Sequence, residues 1–450
     1  MDRSSNILII GGSDAGISAG LRARQLDSTS QVTLVLEDRF PNFSICGLPF
    51  YVSGETPEWN SLAHRSLEEL QNAGLDLLME RRATRIDASS KIVDVEEAGG
   101  THELLRYDRL IVATGARPIR PTISGLELPG VHVLHSMEDS FQVRERAEGS
   151  KQAIIVGGGY IGLEMADALT HRGIKCTLVE MAHQVMTNID SQLAALLSTE
   201  LANRGVELVT GTTVEAIQSK DERLVVIGSG GFKKAADLVL VVVGVQPNAE
   251  LAAQAGVRLG IKGAIQVNRR METNLADVYA AGDCAETHHR FLDRPTYMPL
   301  GTTAHKQGRV AGENAGGGSV EFAGSLGTQV VKVFDLAVAR TGMRDAEALD
   351  AGYQSLTVET EEWDHKVYYP GATRLHIRVS GDRSSGRLLG AQIVGDHRAQ
   401  VAKRIDIFAA AMYCELSVAD LERMDLSYTP PFSAPWDPVQ VAAAAWLARI

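Results

Sequence analysis

Two stretches of the chain share one rhythm: a short, wholly apolar run, a glycine-rich break, a helical pattern, and a second apolar run closed by a glutamate. The first is NILIIGGSDAGISAGLRARQLDSTSQVTLVLE, with residues 7–10 as strand, Gly11 opening a turn, a helix through Gln25, and a strand over 32–36 ended by Glu37. The second is QAIIVGGGYIGLEMADALTHRGIKCTLVE, where 153–156 lead to Gly157, a helix runs to His171, and 176–179 reach Glu180. Strands that are apolar at every position belong inside layered sheets covered on both faces. Strand and helix patterns alternate in this way from residue 6 to about 320, which predicts parallel α/β layers.

Each unit has a later companion. YDRLIVATGARP (107–118) and DLVLVVVGVQPN (237–248) read as strands ending in Gly and then Pro, with Gly115 and Gly244 where the chain leaves one fold for the next. DVYAAGDCAE (277–286) reads as a further strand with Gly282 and Asp283 at its end. The expected plan is a first domain of residues 1–118 and 249–320, interrupted by a second of 119–248. Beyond the glycine-rich GENAGGGSVEFAG the pattern changes to alternating strands, TRLHIRVSG and RLLGAQIVG, joined around Asp382 to Gly386 and followed by the helical AQVAKRIDIFAAAMYCE. Residues 321–450 are expected to form a separate α+β domain. Its closing segment, DLSYTPPFSAPWDP, combines Tyr428, Phe432 and Trp436 with four prolines, which predicts a rigid, irregular course.

Composition narrows the function classes. At 450 residues the chain exceeds what one core organises, and 44% apolar with 22% charged residues is ordinary for a globular protein. A net charge of -12 without any basic run argues against nucleic acid as a partner. No apolar stretch is long enough to span a bilayer and MDRSSNILIIGG lacks a cleavage region, so no membrane association and a cytoplasmic location are expected. Cys46, Cys176, Cys284 and Cys414 lie far apart with no metal-ligand spacing among them and the histidines, which argues against a disulfide scaffold or a metal site. The adjacent His288 and His289 read as solvated loop residues, and Cys176, Cys284 and Cys414 as structural.

The glycines carry the first chemistry. They let backbone approach a pyrophosphate at a helix N-terminus, where free N–H groups and the helix dipole favour an anion, while a carboxylate at the next strand's end takes ribose hydroxyls. Gly157, Gly159 and Gly162 satisfy G-x-G-x-x-G in full; the first copy keeps Gly11 and Gly16, adds Gly12, and has Ser13 at the central position. A tight strand–helix turn alone has similar needs, but two copies with strand before, helix after and acid beyond predict two dinucleotide folds. Between them lies NFSICGLPFYVSG, with Pro49 suited to a helix's first turn, so that Cys46 stands at or just before a helix ended near Gly54. A thiolate is stabilised there by the helix dipole, and it is the reactive form of sulfur. The competing reading of Cys46 is an ordinary buried small hydrophobe.

Taken together, the two dinucleotide folds, the strand ending in Ala-Thr-Gly, the Gly-Asp pair and this cysteine resemble the flavoprotein disulfide reductases over essentially the whole chain. CGLPFYVSG, YYPG and YTPPFSAPWDP are similar to the single-cysteine branch of coenzyme A disulfide reductases, persulfide reductases, and NADH oxidases and peroxidases. The resemblance implies an α/β fold with two Rossmann-like domains, for FAD and NAD(P)H, plus a C-terminal α+β dimerisation domain. It places FAD on Gly11, Gly12, Ser13, Gly16 and Glu37, with Thr114 and Gly115 along the strand exit, Asp283 at the ribityl chain, and Thr302 and Thr303 near the flavin ring. NAD(P)H falls to Gly157, Gly159, Gly162, Glu180 and Gly244, with Tyr160 over the nicotinamide pocket. A homodimer is implied, lending Tyr428, with Tyr368 or Tyr369 alongside, to the partner's active site as proton donors to a departing thiolate.

Departures from the branch sharpen the reading. Dithiol members carry a second cysteine five positions on, where this chain has Tyr51, so Cys46 acts alone on a small-molecule disulfide or persulfide, or is oxidised by peroxide to sulfenic acid. Oxidases and peroxidases of the branch use a histidine where Asp14 stands; Asp14 is either a helix cap or a proton donor facing Cys46. Coenzyme A users show Ser and Asn before the cysteine, where Asn42 and Ile45 stand, and Trp436 and His305 likewise depart from their pattern. A smaller or less polar sulfur substrate, or a thiol-bound metalloid or organic acceptor, suits those residues better. Glu180 with no Arg after it predicts a preference for NADH over NADPH. The leading expectation is an FAD-dependent NADH:disulfide or persulfide reductase, ahead of an NADH oxidase or peroxidase, a flavin-binding regulatory protein and an electron-carrier reductase.

Overall fold

A computed structural model describes residues 5–97, 99–221 and 223–450, so the first four residues of the expected first domain lie outside the described residues. Two parallel five-stranded sheets form over the predicted units. The first runs Val278–Ala280, Arg109–Val112, Asn6–Ile10, Gln31–Val35, Leu75–Leu78, and the second Glu207–Val209, Lys175–Val179, Gln152–Val156, Leu238–Val241, Val131–His132. Their central strands are buried nearly end to end, as apolar runs covered on both faces must be. Each large side chain fully removed from water there, such as Ile9, Ile155 or Leu240, contributes about 2 kcal/mol.

The first strand pairs in parallel with Gln31–Val35 on one side and Arg109–Val112 on the other, and Asn6–Ile10 hands directly to the helix Asp14–Leu26 across Gly11. The second sheet repeats this with the helix Tyr160–His171 across Gly157. Gly11 at φ 114° and Gly157 at φ 111° lie in a region barred to other residues, and a Cβ on either would stand 2.1 or 2.5 Å from a carbonyl oxygen of the companion strand's exit. Chain passes between the two sheets twice, and the crossings pair as an antiparallel ribbon of Ala116–Pro118 with Val245–Pro247.

Several expectations are corrected. Residues 6 to 320 are not uniformly parallel: Arg81–Asp87, Ile92–Glu97 and His102–Arg106 form an antiparallel sheet, and so do Val214–Lys220, Arg223–Gly228 and Lys233–Ala236. Asp87, which accepts from Ser89 and Ser90, makes the tight reversal that permits the first of these. The stretch 107–118 is two strands, not one, because Gly115 at φ 67° turns the chain between them. His288 and His289 lie on a two-stranded ribbon rather than in a solvated loop; His289 is buried, and its Nδ1 receives the N–H groups of Phe291 and Leu292.

The C-terminal region is an antiparallel sheet of Gln329–Val333, Leu336–Gly342, Leu388–Asp396, Arg374–Asp382 and Ser355–Trp363, backed by the helices Val401–Tyr413 and Pro438–Leu447. Phe408 and Trp446 fill the space between, and Trp446 Nε1 donates to Leu356 O at 2.8 Å. The irregular segment before Pro438 is fixed at its root by Arg404, buried between Asp437, Ala399 O and Asp364 O. Hydrogen bonds from Arg378 and Gln392 to Asp190 tie this sheet to the second parallel domain. Among the described residues no helix is long and apolar enough to cross a membrane.

Candidate active site

The two glycine turns open on free helix N-termini, the arrangement that receives a pyrophosphate. Structural need explains Gly16 and Gly162, whose Cβ atoms would lie 1.9 Å from the carbonyls of Gly11 and Gly157. Gly159 differs: it is exposed at the turn, and a Cβ there would meet no protein atom within 4 Å. Glu180 closes the second turn, accepting from Gly158 N–H at 2.6 Å and Ala182 N–H at 2.7 Å. Tyr160, the first residue of its helix, is bound through its hydroxyl to Asn188 and Gln329. Gly244, at φ 111°, ends the companion strand beside that turn.

On the first turn Ser13 is the helix cap but makes no side-chain cap bond, and Glu37 stands exposed near Arg82. Asn42, expected to touch substrate, is wholly buried, and both polar atoms of its amide lack partners; its N–H is held by Gly12 O. Protein covers that amide completely, so Asn42 does not face arriving substrate. Thr114 gives its hydroxyl to Asn248 O at 2.5 Å, which ties the interdomain ribbon. Asp283 is pushed up to about 6 by burial and then by the Asp14 carboxylate. Behind it Gln307, fully buried, joins Gly282 N–H to Glu286 O, setting the helix Gly301–Ala315 against the end of the strand Val278–Ala280. Thr302 is exposed at that helix's start, and Thr303 is buried against Ser325. The tight turns at Gly11 and Gly157 onto helix N-termini, with Glu37 and Glu180 beyond them and the buried Asp283 carboxylate, fit two dinucleotides, FAD and NAD(P)H.

Cys46 lies in a single 3-10 turn, Ile45–Gly47, ahead of the helix Leu48–Ser53, which Gly54 ends at φ 91°. It is a free thiol at the surface, and Tyr51 five positions on is buried with Arg144 over its ring. The expected depression of its pKa is corrected. Surrounding protein pushes the thiol up, and Glu164, Asp14 and Asp283 add to the rise. A six-residue helix offers too weak a dipole to overcome desolvation with three carboxylates added to it. The sequence reading passed over Glu164, which is pushed up to about 7 by burial and then by Asp167. Its signal was available: an acid one turn after Tyr160 in a largely apolar helix, with Asp167 three positions further on.

Asp14 is the first residue of its helix rather than its cap, so the capping alternative is removed. His305 Nε2 stands 3.3 Å from its carboxylate, and His64 Nε2 4.0 Å. The Asp14 carboxylate beside it holds His305 above the usual histidine range. In the C-terminal domain Tyr428 and Tyr368 are exposed and paired, Tyr428 raising the Tyr368 phenol, while Tyr369 packs edge-on to His365. Trp436 and Ile45 are exposed too. Cys176 and Cys284 are buried and Cys414 ends its helix at the surface.

Comparison with known proteins agrees with this geometry. The family model for pyridine nucleotide-disulphide oxidoreductase matches residues 5–308, and that for the pyridine nucleotide-disulphide oxidoreductase dimerisation domain matches 328–438. An NAD(P)H sulfur oxidoreductase (CoA-dependent) of Pyrococcus abyssi is 35% identical over 441 residues, 97% of each chain. An NADH oxidase of Methanocaldococcus jannaschii is 31% identical over 450 residues, covering 98% of this chain and 99% of that one. The structure of an NAD-dependent persulfide reductase from A. fulgidus superposes with a TM-score of 0.95 at 37% identity, covering 99% of this chain and 83% of that one. With two glycine turns, the exposed Cys46 thiol near carboxylates that follow both of them, and these matches along nearly all its length, the chain belongs to the pyridine nucleotide-disulphide oxidoreductases, flavoprotein enzymes that use FAD and NAD(P)H.

Proposed function

We propose that this enzyme reduces a sulfur–sulfur bond of a small molecule, a disulfide or persulfide, through Cys46. The observation that carries the reading is that the exposed free thiol of Cys46 lies within reach of the charges of Glu164 on the second turn's helix, Asp14 on the first, and Asp283 just after the strand Val278–Ala280. A sulfur at that junction is open to solvent and adjacent to both nucleotide turns. FAD, when bound, accepts hydride from the nicotinamide and supplies an electron pair to sulfur.

Cys46, as thiolate, attacks one substrate sulfur; its new S–S bond forms as the substrate's own breaks, and the first thiol leaves with a proton. Two electrons and a further proton then release the second thiol and restore Cys46, so that NADH, one proton and a disulfide give NAD+ and two thiols. Tyr51 supplies no second sulfur, so no internal disulfide intervenes. In a homodimer built on the C-terminal sheet, Tyr428 of one protomer, with Tyr368 or Tyr369 beside it, would donate protons at Cys46 of the other. Glu180 favours NADH, because its fixed carboxylate repels a 2'-phosphate. Ile45, 40% exposed next to Cys46, offers apolar surface and no hydrogen bond to the thiol's carrier group.

A second reading, an NADH oxidase or peroxidase passing through Cys46 sulfenic acid, gains support from His305. The imidazole absent from position 14 is supplied by another helix and faces the same turn. Anaerobic titration with NADH tests the role of Cys46. The parent isolated oxidised should accept two electrons beyond the flavin's own and develop a thiolate-to-flavin charge-transfer band, and Cys46→Ser should do neither. Identical titrations would remove the cysteine from the mechanism. Stoichiometric water or rapid peroxide consumption under air would move the assignment to the second reading.

A further inference from the structure

Asp14, His64 and His305 are brought together by three separate elements. Asp14 opens its helix at the first glycine turn, and His305 lies one turn into the helix Gly301–Ala315. His64 follows the strand-like segment that pairs with residues 42–44, its N–H bound to Asn42 O at 3.0 Å. The carboxylate oxygen and the two Nε2 atoms all lie within 4.8 Å of one another. Asp14 Oδ1 is shut off from solvent and has no hydrogen-bond partner of adequate geometry. On the far side of the His305 ring, Nδ1 is 2.8 Å from Ser18 Oγ.

That outer contact orients the imidazole. When Nδ1 donates to Ser18, Nε2 turns toward Asp14, the arrangement by which an outer hydrogen bond fixes a metal-binding histidine. A divalent cation satisfies all three atoms at once. We infer that Asp14, His64 and His305 form a binding site for a zinc-class divalent cation beside the first glycine turn. Metal–nitrogen and metal–oxygen bonds of about 2.0–2.1 Å in tetrahedral geometry place ligand atoms about 3.3–3.5 Å apart. Asp14 and His305 already stand at 3.3 Å; His64, exposed and 4.0 Å from Asp14, has to close by less than about 1 Å to reach that range. Two imidazoles and one carboxylate suit late first-row divalent ions over calcium or magnesium. Three protein ligands leave one coordination position for water or for a sulfur anion. The Arg65 charge also reaches His305 and opposes the cation. A bound cation would offset the Asp14 carboxylate that helps hold the Cys46 thiol up.

The inference does not depend on which sulfur compound the enzyme reduces. Chelator-treated, FAD-loaded enzyme is dialysed against zinc in competition with a chromophoric chelator, alongside His64→Ala, His305→Asn and Asp14→Asn, with flavin content checking that each variant folds. One zinc per chain is expected, weakened at least tenfold in each variant, with X-ray absorption reporting two imidazoles and no sulfur in the first shell. Zinc not retained at micromolar concentration, retained equally by His64→Ala and His305→Asn, or bound through sulfur would overturn the inference.

Discussion

Glu164 makes stability and thiol reactivity depend on pH in a direction that can be worked out. Burial, followed by the neighbouring Asp167, lifts its carboxyl from an ordinary 4.5 to about 7. The folded protein therefore keeps a proton that the unfolded chain releases, so stability is full below pH 4.5, falls as pH rises through the window to about 7, and stays lower above it. A rise of that size corresponds to about 3 kcal/mol. Glu164→Gln keeps the shape and loses the titration. Relative to the parent, the variant should gain nothing at pH 4 and about 3 kcal/mol by pH 9, a difference in which the other titrating groups cancel. Urea unfolding of both FAD-loaded proteins across that range measures it. Because the Glu164 charge also raises the Cys46 thiol, iodoacetamide should alkylate Cys46 faster in the variant than in the parent above pH 7 and equally fast below pH 5. Parallel stability curves and equal alkylation rates at every pH would refute both the burial of Glu164 and its proximity to Cys46.

The glycine turns separate ligand space from backbone need. Gly159→Ala should keep stability within about 1 kcal/mol while raising KM for NADH, whereas Gly162→Ala, forced against Gly157 O, should lose more than about 2 kcal/mol by urea unfolding. Neutralising Glu180 as Gln should lower the ratio of kcat/KM for NADH over NADPH by about tenfold, equivalent to about 1.4 kcal/mol, and an unchanged ratio would mean the carboxylate serves the loop alone. Asp437→Ala strands the buried Arg404 charge and should cost about 3–5 kcal/mol, while Arg404→Met combined with Asp437→Leu should lose less than the sum of the single changes.

Much of the framework could be read along the chain because its causes are local. A parallel strand buried on both faces is apolar at each position, so 7–10 and 153–156 announced themselves, and the turns after them admit only glycine at Gly11 and Gly157. Cys46 before Gly-Leu-Pro, the helix ended by Gly54, and the antiparallel pair around Asp382 are likewise matters of neighbouring residues. The small antiparallel sheets escaped notice since their half-buried strands alternate weakly and their pairing depends on turns such as that at Asp87.

Charge balance and convergence belong to the tertiary structure. No spacing rule joins Asp14 to His64 and His305, because ladder pairing with residues 42–44 and packing of two distant helices place them together. The helix start after Cys46 pointed toward an acidic thiol, yet desolvation by the surrounding protein, and after it the carboxylates of Glu164, Asp14 and Asp283 from three other parts of the chain, push it the other way. Local sequence determines which backbone shapes are allowed; electrostatic fields and coordination depend on distances through space, which only the packed molecule sets.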